Sequence, residues 1–349
     1  MQEDAVISPP TERSKRGFPL GWWLRVAGSL ALLGATLAIL PLEQLGDAFA
    51  RLDVTTLCTV LAAFLALHGA ASLKWWMLCE RRVPMLVAVR AHLAGLAGNL
   101  CLPGVIGGDL VRAGIVARAH GDTAHLVSAS VLDRLIDMLA LLFVAAAGLL
   151  GIVAFRDSSV AGFDAASLSG FFAIALAVVA LLVAVVLVFP HTLDRVSELP
   201  MPKRLRSPIA KVVRASRAVA ASPQRIGAAF AFAILIQSGL AILAYALAGR
   251  AGVEIGLAAW VFAWTLAKIL AVLPVSLGGL GVREAALSLL LAPFTSDLGA
   301  VVAASLVWQV VLFLGGLVGG GIWLVSEVTG GRRMRGGDLT LPSGGSGNE

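Results

Sequence analysis

Three stretches of this sequence, Leu168 to Phe189, Ile226 to Gly249 and Gly299 to Ser326, contain no Asp, Glu, Lys or Arg. A helix that crosses the hydrocarbon core needs roughly 20 mostly apolar residues at 1.5 Å rise each. Each stretch meets that length. Barrel strands would instead alternate in polarity over about 10 residues. The chain is therefore expected to cross a bilayer as helices. Of its 349 residues, 58% are hydrophobic and 14% charged, against about a quarter charged in a soluble domain.

Candidate spans fall near 22–41, 54–75, 126–153, 168–189, 226–249 and 299–326, with two further apolar regions, 84–118 and 256–293, broken by Pro and Gly. The run from Trp22 to Leu40 exceeds a signal-peptide core, so it reads as a retained first span. The expected organisation is a cytoplasmic tail over 1–21, a transmembrane domain over 22–330 and a disordered cytoplasmic tail over 331–349. Cys58, Cys79 and Cys101 form no CxxC pair, and His68, His92, His120, His125 and His191 are dispersed. Neither a disulfide framework, a metal site nor any other cofactor is expected. Nothing points to nucleic acid, and no GxxxxGK[ST] motif suggests direct coupling to ATP.

Positive charge marks the cytoplasmic side. Pro190 to Arg225 holds eight Lys and Arg against Asp194 and Glu198, which places this loop inside. Arg13, Lys15 and Arg16 do the same for the amino terminus, and Arg332, Arg333 and Arg335 for the carboxyl terminus. The loop Leu42 to Asp53, with Glu43, Asp47 and Asp53 against Arg51, fits outside. Lys211, Arg214 and Arg217, at three-residue spacing, read mainly as a topology determinant, with contact to anionic lipid as the alternative. Counting spans from the inside makes 84–118 start and end inside, and 256–293 start and end outside. Each broken region is then a re-entrant hairpin, and the two enter from opposite faces.

The hairpins share a sequence. Leu102-Pro103 through Gly107, Gly108 and Arg112 follows LPxxxGGxxVR, and so does Leu273-Pro274 through Gly278, Gly279 and Arg283, 171 residues later without a gap. The same offset carries 54–75 onto 226–249 and 126–153 onto the segment starting near 297. The expected fold is an all-α polytopic membrane protein with an inverted-topology repeat, A over about 22–153 and B over about 168–326. Pro ends the first half-helix and the Gly pair permits a sharp turn. The returning helix then points its amino end, with free N–H groups, into the membrane, where it suits an anion such as phosphate. The alternative use of the Gly pairs is close helix packing.

Asp109, Arg112, Asp133, Arg134, Asp137, Lys268, Arg283 and Glu284 fall in or beside apolar segments. Each costs about 2.5–3.5 kcal/mol at the bilayer centre on insertion scales, so partners or water are required. Asp133 and Asp137 share one helix face, so a cation is expected between them, such as Arg112 or the substrate. Simple hydration near the cytoplasmic interface is the other reading.

The runs Gly98-Asn99 through Asp109 to Arg112, Ser130 to Arg134, and Leu273-Pro274-Val-Ser276 through Gly278 and Gly279 to Arg283-Glu284 together resemble the transmembrane region of lysylphosphatidylglycerol synthases, a flippase-like domain. The resemblance covers roughly residues 20–330. It implies a bacterial inner-membrane protein that moves or places a lipid across the bilayer. It further implies that Asn99, Pro103, Asp109, Arg112, Arg134, Ser276, Arg283 and Glu284 line a headgroup site. Asp133 stands where Glu is expected before the Arg. About twenty residues follow the last span, so aminoacyl-transferase activity is not carried over from the resemblance. The leading expectation is a lipid transporter acting on an anionic or modified headgroup, with membrane lipids and separately encoded lipid-synthesis enzymes as partners. The alternatives are an intramembrane transferase acting on a phospholipid or polyprenyl phosphate, and a non-catalytic scaffold of a lipid-synthesis complex.

Overall fold

A computed structural model describes residues 46–47, 50–101, 106–120, 123–154, 222–272 and 281–337. The spans expected at 22–41 and 168–189, the basic loop 190–225 up to residue 221 and most of both tails lie outside the described residues. So do the turn residues Pro103, Pro274, Ser276, Gly278 and Gly279.

Eight helices are described: α1 (Val54–Leu78), α2 (Met85–Cys101), α3 (Ile106–His120), α4 (Thr123–Ala154), α5 (Pro223–Arg250), α6 (Leu257–Val272), α7 (Val282–Leu291) and α8 (Leu298–Gly337). Four of them, at Val54–Leu78, His125–Ala154, Pro223–Arg250 and Leu298–Ser326, are long and apolar enough to cross a membrane. They coincide with four expected spans. The chain is an all-α polytopic membrane protein. Helix α8 continues to Gly337, past the boundary drawn at residue 330.

Local chemistry sets the helix starts. Asp53 caps α1 by accepting a hydrogen bond from the Thr56 N–H. Pro223 opens α5 at a position where a missing N–H costs nothing. Asp297 accepts from the Ala300 N–H at the start of α8. Gly281 precedes α7 at φ 81°, a left-handed conformation that a side chain would strain.

The broken regions become pairs of short helices. Helices α2 and α3 pack together, as do α6 and α7. At 1.5 Å per residue the 17-residue α2 and 16-residue α6 reach about 25 Å, short of a hydrocarbon core about 30 Å thick. Each short helix also lies on a long one: α2 on α8, and α6 on α4. Both contacts depend on missing side chains. A Cβ on Gly319 of α8 would come within 2.6 Å of the Leu93 carbonyl oxygen of α2. A Cβ on Gly148 of α4 would come within 2.7 Å of the Phe262 backbone nitrogen of α6. Small residues let helix backbones approach where lipid offers no hydrophobic drive for association.

The largest core cluster joins α1, α4, α5, α6, α7 and α8 around buried Phe64, Trp260, Trp264 and Trp308. A second cluster around Trp75, Leu78, Val116 and Ile136 binds α1, α2, α3, α4 and the start of α5.

Candidate functional site

Helix α4 brings Asp133, Arg134 and Asp137 onto facing turns, and α1 brings Lys74 against them. The Lys74 ammonium lies 3.1 Å from Asp133 and 2.5 Å from Asp137. Lys74 is 1% exposed, so the cation expected between the two carboxylates is present in a dry setting. It is a different residue from the one anticipated. Arg112, on α3, reaches only Asp133 (3.2 Å), and at the same distance Asp109 one turn away on its own helix. Asp109 also receives Arg134 at 2.5 Å. Three cations thus interleave with three carboxylates. Desolvated charges need such mutual compensation, because each unpaired ion would cost several kcal/mol.

Arg112 is further held over the ring of Trp75, 4.4 Å from its centroid. Its Nη1 lies 3.4 Å from His92 Nδ1, and His92 Nε2 lies 3.1 Å from His68 Nδ1.

The counterpart of Arg112 at the second motif behaves differently. Arg283 is 5% exposed. It donates to Glu284 (2.8 Å), to the Ser305 hydroxyl (2.9 Å) and carbonyl (3.2 Å), and to Gln309 (3.0 Å). Glu284, with no exposed surface, accepts from Arg283, from the Ser305 hydroxyl and from the Gly281 N–H. These bonds tie α7 to α8.

The amino ends of the two returning helices are already served by side chains. Asn99 Oδ1 accepts the Gly108 N–H at 2.8 Å, and Glu284 accepts the Gly281 N–H at 2.7 Å. One donor at each end is thereby engaged. Gly108 packs closely on α2, where a Cβ on Gly95 would meet the Gly108 carbonyl oxygen at 2.8 Å. Gly107 is buried beside it. Gly108 of the first pair therefore makes a close helix contact, and it also lines a cavity.

That cavity, of about 250 Å³, lies between the short-helix pairs and the long helices. Arg112, Arg134, Lys268 and Arg283 line it together with Asp109, Asp133 and Asp137. Its apolar wall includes Phe64, Leu96, Leu141, Leu240, Trp308 and Leu312. Lys268 donates to Gln237 Oε1 at 2.7 Å, and Gln237 Nε2 reaches back to Asp137 at 3.4 Å. Of the anticipated residues that are described, Asn99, Gly108, Asp109, Arg112, Asp133, Arg134, Asp137, Lys268 and Arg283 line the cavity. Gly107 and Glu284 stand behind it. His68, His92, Gln237 and Gln309 join the lining and were not anticipated. Lys74 was not among the anticipated residues either. Its signal was a lysine on a helix that must pass two unpaired aspartates.

A separate polar cluster forms at the α1–α2 turn. Glu80 accepts from Arg225 and from Arg82, both at 2.8 Å, and His125 lies 3.9 Å away. Burial raises the Glu80 carboxyl, but the hydrogen bonds from Arg225 and Arg82 outweigh it and hold the group below the usual carboxylate range. Glu80 and Arg81 adopt φ of 55° and 58°, a left-handed conformation that costs about 1–2 kcal/mol per residue.

Long apolar helices, paired short ones and a charged cavity between them define an all-α polytopic membrane protein with a buried polar site. The chain belongs to the lysylphosphatidylglycerol synthase TM region family, whose profile matches residues 22–320. Comparison with curated proteins finds no match. Among the described residues, no group of three or more His, Cys, Asp or Glu could hold a metal ion.

Proposed function

We propose that the chain moves a lipid across the bilayer by passing its headgroup through the cavity beside Arg112, Lys268 and Arg283, while the acyl chains stay in contact with apolar wall and lipid. The observation that carries this reading is the cavity itself. It combines ionised side chains and a broad apolar wall in one space, as an amphipathic ligand requires. Charges inside a membrane domain mark a substrate path by default. Family membership agrees with a role in lipid handling.

The transmembrane domain reads as two inverted repeats whose short-helix pairs are re-entrant hairpins entering from opposite faces. Three features support this. The LPxxxGGxxVR motif recurs at an offset of 171 residues. That offset carries α1, α2, α3 and α4 onto α5, α6, α7 and α8. It also maps the helix pairings onto one another: α2 on α8 corresponds to α6 on α4, α3 on α4 to α7 on α8, and α1 on α4 to α5 on α8. In this reading both termini and the basic loop are cytoplasmic, and the membrane is the bacterial inner membrane.

The transferase alternative needs an acidic pair free to engage a metal or phosphate. Asp133 and Asp137 are instead engaged by Lys74, which favours transport.

The test is headgroup translocation by the purified protein in proteoliposomes. Arg112→Ala and Arg283→Ala should each abolish lipid movement while folded protein remains in the membrane. Normal rates from both variants would overturn the cavity as the path.

A further inference from the structure

We infer that the headgroup this cavity takes is a singly charged phosphodiester, as in an unmodified anionic phospholipid, with Lys268 reading its charge and His68 supplying a neutral donor. This rests on the transport reading above and names its substrate class.

The first argument is charge. Among the described residues, the network holds five cations (Lys74, Arg112, Arg134, Lys268, Arg283) and four carboxylates (Asp109, Asp133, Asp137, Glu284). The two turn segments outside the described residues, 102–105 and 273–280, contain no ionisable residue. Four of the cations contact a carboxylate within 4 Å. Lys268 does not: its described hydrogen-bond partner is the neutral Gln237. One half-buried ammonium with no carboxylate in direct contact, facing the cavity, is best met by one negative charge. A dianionic phosphomonoester would invert the balance. An aminoacylated, cationic headgroup would worsen it, because each of the four carboxylates of the network already holds a cation.

The second argument is donor direction. A guanidinium only donates. Its contact with His92 Nδ1 therefore makes that nitrogen an acceptor and places the His92 proton on Nε2. His92 Nε2–H then donates to His68 Nδ1, which leaves the His68 proton on its own Nε2. His68 lines the cavity, packs its ring on Phe64 at 4.4 Å, and has no described partner for that N–H. Lys268 has protons to spare beyond the one given to Gln237. The cavity thus offers surplus donors, and its carboxylates are committed. A phosphodiester brings acceptors and one charge, which matches both surpluses.

The assay uses full-length protein in phosphatidylcholine vesicles carrying trace tail-labelled phosphatidylglycerol, phosphatidylethanolamine, phosphatidic acid or lysyl-phosphatidylglycerol. Binding of the dihexanoyl forms of the last four by detergent-solubilised protein is measured in parallel. Phosphatidylglycerol should move and bind best. Lys268→Met should weaken its binding by about tenfold or more, the loss expected for a charge-assisted hydrogen bond. Lys268→Arg should restore most of it, which separates lost charge from lost folding. His68→Phe should lower phosphatidylglycerol binding several-fold and leave monodispersity unchanged. Equal binding of all four lipids, or preference for the zwitterionic, dianionic or cationic one, overturns the substrate class even where lipid still moves. Selective binding of phosphatidylglycerol without movement upholds the class and overturns transport. No binding of any lipid overturns both.

Discussion

Removing Lys74 is the sharpest stability test of the buried network. Lys74→Met keeps the length of the side chain and its packing beside Trp75, and deletes only the ammonium. It leaves Asp133 and Asp137, one turn apart on α4 with side chains 5% and 15% exposed, facing each other without the cation between them. Arg112 still contacts Asp133, and Gln237 still reaches Asp137, so part of the charge stays compensated. Breaking a buried ion pair from one side costs about 3–5 kcal/mol. At about 2–4 °C per kcal/mol for chains of a few hundred residues, the thermal midpoint should fall by about 6–20 °C. The assay is thermal unfolding in detergent, followed by monodispersity after heating. Lys74→Met combined with Asp137→Asn removes charge from both sides and should recover several degrees, so the two changes should not add. A midpoint within 2 °C of wild type for Lys74→Met would show that Asp133 and Asp137 are hydrated, and the dry network would be refuted.

Further outcomes follow from other contacts. Gly319→Ala drives a methyl group into the Leu93 carbonyl and should lower the thermal midpoint measurably, whereas Gly321→Ala, with open space around its Cβ position, should be neutral in the same scan. Arg112→Lys retains charge but cannot hold Asp133, Asp109 and His92 together from one planar fork, so its translocation rate in proteoliposomes should fall well below that of a simple charge-preserving change. The Glu80 carboxyl lies below its usual range, so its contribution is full above the model-peptide value of 4.5 and is lost as pH falls through the lower folded value. Acid titration of detergent stability should show that loss, and Glu80→Gln should remove it. Cysteine introduced as Ser207→Cys should react only with a membrane-permeant reagent, and labelling from outside would overturn the orientation of the loop.

The long helices were legible because length and apolarity suffice to define a span. Ile226 to Gly249 appears as Pro223–Arg250, and Gly299 to Ser326 as the body of α8. The breaks were legible because Pro and paired Gly punctuate an otherwise continuous apolar run. The charges near Asp133 were recognised as needing partners, and Arg112 does reach Asp133, yet the cation that bridges Asp133 and Asp137 comes from α1. Nothing local in a helix says which neighbour it will face. His68 and His92 were passed over for the same reason: they are 24 positions apart, on different helices, and meet only after α1 and α2 fold together. Asn99 was assigned to a headgroup by resemblance; the structure places it in the cavity lining and also shows its oxygen capping α3. A side chain that closes a helix end and one that greets a ligand use the same chemistry, and sequence does not separate them.

The crossed packing of α2 on α8 has a consequence for how the protein is made. Helix α2 leaves the ribosome roughly two hundred residues before Gly316 and Gly319, the small residues against which its Leu96 and Leu93 carbonyls close. At about 5–20 residues per second, that interval is roughly 10–40 s. Throughout it, the first short-helix pair has its neighbours α1 and α4 but not its main floor, while Arg112 already has Trp75, His92, Asp109 and Asp133 around it. Closing of the cavity is thus tied to arrival of α8, which brings Trp308, Gln309 and Leu312 to its lining. A nascent chain stalled before α8 should keep its first ion-pair network but leave Arg283 without Ser305 and Gln309 and the cavity open on that side, a state exposed to membrane quality-control proteases.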